Sequence, residues 1–466
     1  MKVLIVNGSP KGKNSTTLYT SLFLEKRFPE HRFSFLEPGL RIKQFEKDFT
    51  LAAEALRDAE LIVFSYPVYT FLVPYQLHRF IELMKGAGLD FSGKAATQIT
   101  TSKHFYDITA HRFIADNCAD MALRFVDGLS ADMEDILTPR GRSQAEEWFK
   151  FVLWQINLPA SSGLFAARGQ KEPSGESALR KQDLRLAGIP SPGTDLPKSA
   201  PVEKREGKKA VIVADLRPED ESLRAMIERF TAVFPYPCDV INIREFPFQG
   251  GCLSCFNCAT DGKCVYRDGF DEFLRGTIHK HDAILYAFRV QDHSMGSLFK
   301  LYDDRQFCNG HRTVTMGTPF GYLVAGPYSR EENLQLLLEA RAQVGGNFLS
   351  GVATDETDPD AAVDALSATM TYALEHSYAP PQNFLGVGGM KIFRDLIYEM
   401  RGLMRADHRF FKSHGQYDFP QKRWKRSWAM YLVGDLMGSP RLRAKMGPQM
   451  TEGMIGPYRK MLERVK

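Results

Sequence analysis

The sequence predicts an α/β protein: two tandem doubly wound parallel-sheet domains followed by a helical, basic C-terminal extension. Three observations carry that expectation. Short apolar runs alternate with helix-patterned segments, the same order recurs after a Pro/Gly-rich break, and a charge imbalance is confined to the last part of the chain.

In the first copy, KVLIVN at residues 2–7 is apolar on both faces, as a strand inside a parallel sheet must be. It is followed by GSPKGKNSTT and then by LYTSLFLEK at helical spacing. A strand at 32–36, a helix at 45–58 and the apolar strand LIVFS at 61–65 come next. Helix 74–86, strand 95–100, helix 108–122, strand 123–127 and helix 143–157 complete a domain spanning residues 1–158. Residues 159–207 contain PSGES, GIPSPGTDLP and KREGKK, the composition of an exposed linker.

KKAVIVAD then restarts the pattern, with a helix at 218–231, a strand at 238–243, a helix at 268–279 and the strand AILYAF at 283–288, in a domain spanning 208–379. Lys2 aligns with Lys209 and Ile62 with Ile284, so the second copy has gained about 15 residues between its second and third strands. That gain contains GGCLSCFNCATDGKC. A chain of 466 residues is the right size for two or three domains at about 150 residues each.

NGSPKGKNSTT sits where a doubly wound sheet binds ligands, at the end of its first strand and the start of a helix. Gly8 permits a close turn. Ser9, Asn14, Ser15, Thr16 and Thr17 offer donors, while Lys11 and Lys13 add charge to the positive end of the helix dipole. This suits a phosphate; a polar turn that only caps the helix is the plainer alternative. The loop lacks both the GK[ST] ending of a P-loop and the GxGxxG dinucleotide pattern.

After the third strand, SYPVYTFLVPYQ offers Pro67, Val68, Tyr69, Thr70 and Phe71 to a flat apolar ring system. A monophosphate site beside a ring-binding loop describes FMN. GSPKGKNS and the Pro-Val-Tyr loop resemble the flavodoxin-like NAD(P)H-dependent FMN reductases over residues 1 to about 158. The resemblance implies Ser9, Lys11, Asn14, Ser15 and Thr16 on phosphate and Pro67 to Phe71 on the isoalloxazine. TTSKHFYD, with Thr101, Ser102 and Tyr106, takes the third flavin-contacting position.

In the second copy VADLRPEDES replaces VNGSPKGKNS, placing Asp215, Glu219, Asp220 and Glu221 where a phosphate needs donors, and AFRVQDHSMGSLFK lacks Pro-x-Tyr. One FMN per chain is expected.

Cys252, Cys255, Cys258 and Cys264, spaced C-x2-C-x2-C-x5-C, can wrap one compact centre. A 4Fe–4S cluster, a zinc ion and thiol–disulfide chemistry are the readings open to four such thiols. The pattern resembles the cysteine motif of the iron–sulfur flavoproteins. The resemblance implies a 4Fe–4S cluster in this insertion, the Asp268–Phe270 helix start after it, and electron transfer between cluster and FMN. Here the two centres fall in different copies, so the expected arrangement is a covalent pseudo-dimer with flavin facing cluster. Cys118, Cys238 and Cys308 read as core thiols, and His104, His111 and His293 as hydrogen-bonded loop histidines.

Residues 380–466 carry 17 Lys and Arg against 7 Asp and Glu, although the formal charge of the whole chain is only +4. They read as helical from 388, with GVGGM at 386–390 as a hinge. Beside Trp424, Trp428, Met430 and Tyr431 the basic charge would suit an acidic electron carrier or peripheral contact with a membrane surface. A solvated helical cap is the bland alternative. No nucleic-acid module occurs. MKVLIVNGS runs directly into a strand without signal-peptide regions, which predicts a cytoplasmic protein, and the pseudo-dimer leaves room for a homodimer.

The expected function is therefore a flavin-dependent oxidoreductase. It would pass electrons between FMN and a 4Fe–4S cluster, with NAD(P)H or a small electron carrier as donor and a small molecule or acidic carrier as partner. The alternatives are an NAD(P)H-dependent flavin or quinone reductase with a structural metal, and a redox-sensing or scaffold protein without catalysis. No catalytic acid or base stands out, since flavin chemistry leans on the cofactor.

Overall fold

A computed structural model describes residues 1–157, 200–255 and 257–419, with residues 425, 428, 429, 431 and 432. The first sheet contains β1 (Lys2–Asn7), β2 (Arg32–Leu36), β3 (Leu61–Pro67), β4 (Ala95–Ser102) and β5 (Arg124–Phe125) in the order β2-β1-β3-β4-β5, with β6 (Leu129–Asp132) also pairing with β4. The second contains β7 (Ala210–Ala214), β8 (Cys238–Asn242), β9 (Ala283–Arg289), β10 (Pro319–Ala325) and β11 (Phe348–Thr354) in the order β11-β10-β9-β7-β8. Counted from its own first strand, each sheet is ordered 2-1-3-4-5. Every pairing is parallel. β3 and β9 are buried along all but their last residue because helices cover both faces.

Several boundaries differ from expectation. The helix expected at 45–58 is two, Pro38–Lys47 and Thr50–Asp58. Asp48 turns extended between them and its carboxylate accepts from Thr50 N at 2.9 Å. The strand expected at 123–127 is the short β5, with β6 following it, and the helix expected at 268–279 is Phe270–Gly276 and a 3-10 turn. GVGGM is no hinge: it lies inside helix Phe384–Glu399. A Cβ on Gly386 would stand 2.7 Å from Gln343 O, and one on Gly389 would stand 2.6 Å from Val344 Cγ2. The glycines let this helix close on helix Glu332–Gly345. Most of the expected linker, together with Trp424 and Met430, lies outside the described residues.

The chain divides into a unit from Met1 to Phe410, which contains both sheets, and a unit from Phe411 onward, in which Trp428 and Tyr431 are exposed. No helix among the described residues is long and apolar enough to cross a membrane.

The two domains pack through equivalent elements. Helix Tyr75–Gly86 lies against helix Ser297–Arg305, and helix Asp107–Asp120 against helix Glu332–Gly345. Helix 75–86 and its counterpart 297–305 differ by 222 positions, as do the turns before them. Thr70 and Phe71 in one turn, and Asp292 and His293 in the other, all have positive φ.

The contacts are reciprocal. Asp304 Oδ2 accepts from Tyr75 N, the first residue of the opposing helix, at 2.8 Å; its counterpart Glu82 Oε1 accepts from Ser297 N, also at 2.8 Å. Each helix N-terminus is thus capped by a carboxylate from the other domain, the signature of a two-fold related interface. The largest apolar core runs through it, with Leu77, Phe80 and Ile81 joined to Phe299 and Tyr302.

His293 adds a pH-sensitive contact. Its Nε2 lies 3.0 Å from Asp120 and its Nδ1 3.0 Å from Glu331. Hydrogen bonds to these two carboxylates push the imidazole up to about 10. A raised value means that its contribution is complete below the unfolded value of about 6.5 and disappears as pH rises through about 10. Thermal midpoints of wild type should therefore fall relative to His293→Gln between about pH 6.5 and 10. Parallel profiles for the two proteins would remove this role.

Candidate functional site

At the end of β1 the chain turns through Gly8, where a Cβ would stand 2.7 Å from Leu77 Cδ2. Asn7 Oδ1 accepts from Ser9 N at 3.2 Å, Ser9 Oγ accepts from Lys11 N at 3.3 Å, and a 3-10 turn at Gly12–Asn14 leads into helix Thr16–Arg27. Ser9 and Ser15 are buried. Ser15 is the N-cap residue, yet its hydroxyl does not cap the helix, and the first turn contains no acidic residue. The hydroxyl and the first-turn N–H groups are an arrangement that can accept an anion.

The loop after β3 reverses at Tyr69–Leu72, where Tyr69 N donates to Leu72 O at 2.8 Å and Leu72 N to Tyr69 O at 2.9 Å. The second domain holds it in place. Lys300 Nζ donates to Tyr69 O at 3.0 Å and also bonds Thr70 Oγ1, while Thr70 Oγ1 donates to Asp304 at 2.8 Å. Beyond β4, the Thr101 hydroxyl bonds Thr17, and Ser102 Oγ accepts from His104 N at 2.9 Å. Tyr106 packs on Phe71 with ring centroids 4.5 Å apart, and its hydroxyl donates to Leu385 O.

The cysteine loop is pinned at its base by Arg305, which is almost wholly buried. Its two terminal nitrogens each lie 2.7 Å from an oxygen of Asp268, Nη1 also donates to Gly250 O at 2.9 Å, and Nη2 lies 3.8 Å from Cys264 Sγ. Its guanidinium covers the Tyr266 ring at 4.5 Å. Ser254 N donates to Cys252 Sγ at 3.4 Å, and Cys258 Sγ donates to Phe307 O at 3.1 Å. Burial pushes the Cys258 thiol up to about 11 and raises that of Cys252 further. Metal binding at these thiols must therefore displace protons. Among the described residues, no three of the four sulfurs lie within 4.8 Å of one another.

These parts meet in one cavity of about 510 Å³, within the range of cofactor sites. Ser9, Lys11, Asn14, Ser15, Thr16, Pro67 to Phe71, Thr101 and Ser102 line it. So do Cys252, Cys255, Cys258 and Cys264 from the other domain. Tyr106 lies outside the lining, behind Phe71; Gly8, Lys13 and Thr17 of the first loop lie outside it as well. Tyr69 is the bridge between the loops: its ring meets Phe307 at 5.9 Å, and its phenol interacts with Ser254 and lies near Cys252 and Cys255.

Sequence reasoning missed a further wall. Ile392, Phe393, Leu396, Met400 and Met404, from the segment after the second sheet, close the cavity with apolar surface. His311 and Arg312 line it as well. His311 Nδ1 and Arg312 Nε each lie 3.3 Å from the buried Asp407 carboxylate. Gly310, at φ +61°, allows that carboxylate to approach, since a Cβ there would collide with Asp407 Oδ1. Only the Gly-rich, apolar spacing of 384–399 hinted that this segment packs tightly.

In the second domain the acidic residues at the phosphate position do not stand alone. Asp215 pairs with Arg244 at 2.7 Å, and Asp220 with Arg289 at 2.6 Å. Two of the four acidic residues that replace the loop of the first domain are thus paired with arginine.

Residues 1–111 match a family model described as Flavodoxin-like fold. Both sheets have that fold, since the second repeats the strand order of the first. No curated protein matches the chain. Among solved structures, an FMN-dependent NADH-azoreductase from Bacillus anthracis in complex with FMN is 13% identical, over 32% of this chain and 98% of its own, with a TM-score of 0.26. General stress protein 14 from Treponema denticola in complex with FMN is 14% identical, over 34% and 98%, with a TM-score of 0.27. An NADPH-quinone reductase from P. pentosaceus is 15% identical, over 34% and 100%, with a TM-score of 0.27.

Proposed function

We propose that this chain is a flavin-dependent oxidoreductase in which FMN, held by the first domain, exchanges electrons with a 4Fe–4S cluster held by the cysteine loop of the second. NAD(P)H or a small electron carrier would be the donor. The observation that carries the reading is the single cavity lined by the anion cradle, the ring-binding loop and all four thiols. FMN held there would supply hydride uptake and single-electron release, and a cluster held by Cys252, Cys255, Cys258 and Cys264 would supply one-electron transfer.

The residues fit both groups. The buried hydroxyls and helix N-terminus suit a phosphate, and Tyr69 and Phe71 suit a flat ring. Four thiols on one loop can supply a ligand to every iron of a cube, and they can equally surround one zinc ion. The apolar wall from Ile392 to Met404 excludes water and suits a flat, lipophilic acceptor such as a quinone, the observation that favours the reductase with a structural metal as second reading.

Iron, acid-labile sulfide, zinc and FMN per chain on anaerobically purified protein test this. About four iron and four sulfide with one FMN are expected; zinc on the thiols in place of iron would leave the second reading. Ser9→Asp with Lys11→Glu should weaken FMN binding at least about 100-fold, because like charges meeting in a desolvated cradle cost several kcal/mol. Iron should be retained. Flavin bound as tightly as in wild type would move its site elsewhere.

A further inference from the structure

We propose that His78, Glu82 and Asp292 hold a divalent first-row metal ion of the zinc or manganese class between the two domains. The site is separate from the cysteine loop and independent of the function proposed above.

The first observation is geometric. One ligand atom from each of the three residues lies within 4.8 Å of the other two. His78 is wholly buried, yet neither ring nitrogen has a hydrogen-bond partner. Two orphaned nitrogens in a packed interface are costly, and buried polar atoms left this way call for a ligand or ion.

The second observation is the pseudo-symmetry of the interface. Shifted by 222 positions, His78 becomes Lys300, Glu82 becomes Asp304, and Asp292 is the counterpart of Thr70. In that mate cluster the Lys300 ammonium bonds the Asp304 carboxylate and the Thr70 hydroxyl, all at the contact between the domains. A cation therefore occupies the centre of one half of the interface. In the other half the lysine is replaced by a neutral ring and the threonine by a second carboxylate. That exchange removes a positive charge and adds a negative one at the same place, and it supplies nitrogen and oxygen ligands.

Two cations on the helix of His78 already serve these carboxylates, and the Lys300 ammonium of the mate cluster lies close to His78. Arg79 Nη1 lies 2.7 Å from Glu82 Oε2 but also serves Glu46, and Lys85 lies 3.0 Å from Asp292 Oδ1 but also serves Asp120. Ser297 Oγ donates to Glu82 Oε2 at 2.7 Å and orients it, as outer-shell groups orient metal ligands. Neither Arg79 nor Lys85 is bonded to the His78 nitrogens.

Cobalt(II) is the probe, titrated into chelator-treated full-length protein. Binding at nitrogen and oxygen ligands gives weak visible d–d bands without thiolate charge transfer, which separates this site from the cysteine loop. About one such cobalt per chain is expected, and chelation should lower the thermal midpoint of wild type. Asp292→Asn should weaken cobalt binding beyond the roughly 10–100-fold typical of an outer-shell change. His78→Lys recreates the mate cluster, so it should fold, bind no cobalt at this site and show a midpoint insensitive to chelator. Wild type without the thiolate-free cobalt spectrum, or His78→Lys with the wild-type spectrum, would overturn the proposal.

Discussion

Cys255→Ala is expected to strip the protein of iron and acid-labile sulfide, from about four of each per chain to less than one, while about one FMN stays bound. Cys255 is the exposed member of the four thiols and lines the shared cavity. Its loss leaves three sulfurs, too few to close a cube that needs a ligand at every iron. The residues proposed to hold flavin are shaped mainly by their own backbone, although Tyr69 also touches the cysteine loop. The anion cradle is built by Asn7, Ser9 and the helix at Thr16, and the ring-binding turn closes on its own backbone through Tyr69 and Leu72. Whichever donor reduces the wild-type flavin, NAD(P)H or a small carrier, should still bleach its absorbance in the variant, whereas reduction of obligate one-electron acceptors should fall. Loss of flavin together with iron would show that the cysteine loop is needed to form the flavin site, and the division between domains would have to be abandoned.

Lys300→Met should be the most damaging single change to stability. The ammonium and the Asp304 carboxylate are both fully buried and bonded to each other, and the ammonium also carries the Tyr69 carbonyl and the Thr70 hydroxyl. Burial raises the Asp304 carboxyl against the pull of Lys300. Removing the cation strands that charge in the interface, which costs about 3–5 kcal/mol in comparable buried pairs. It also frees the ring-binding turn, so FMN affinity should fall with stability. Denaturant midpoints of Lys300→Met and of Lys300→Met with Asp304→Asn provide the check. The double variant should recover part of the loss, because the amide that replaces the carboxylate would keep an acceptor for Tyr75 N without a charge. A single variant as stable as wild type would show that the pair contributes nothing to domain association.

What could be read from the sequence was local or periodic. The apolar runs that became β1, β3, β7 and β9 need no partner to be recognised, because a strand buried on both faces must be apolar throughout. The break in the middle of 45–58 was missed because Asp48 competes for the backbone through its own side chain, a choice decided by one hydrogen bond rather than by periodicity. The glycines of GVGGM were misread because glycine marks close packing as readily as a bend. Only the approach of Gln343 and Val344 distinguishes the two.

By itself the sequence determined the two-copy architecture and the places of the Ser9–Thr16 loop, the Pro67–Phe71 loop and the four thiols, all set by order and spacing along short stretches. Tertiary structure decided which of these share a cavity. It also made Tyr69 the bridge between the loops, brought Ile392 to Met404 in as a wall, and paired Glu82 with Ser297 and Asp304 with Tyr75 across the interface. The reason is physical. The two cross-interface carboxylate contacts join residues 215 and 229 positions apart, and no local propensity records which faces a two-fold packing will bury.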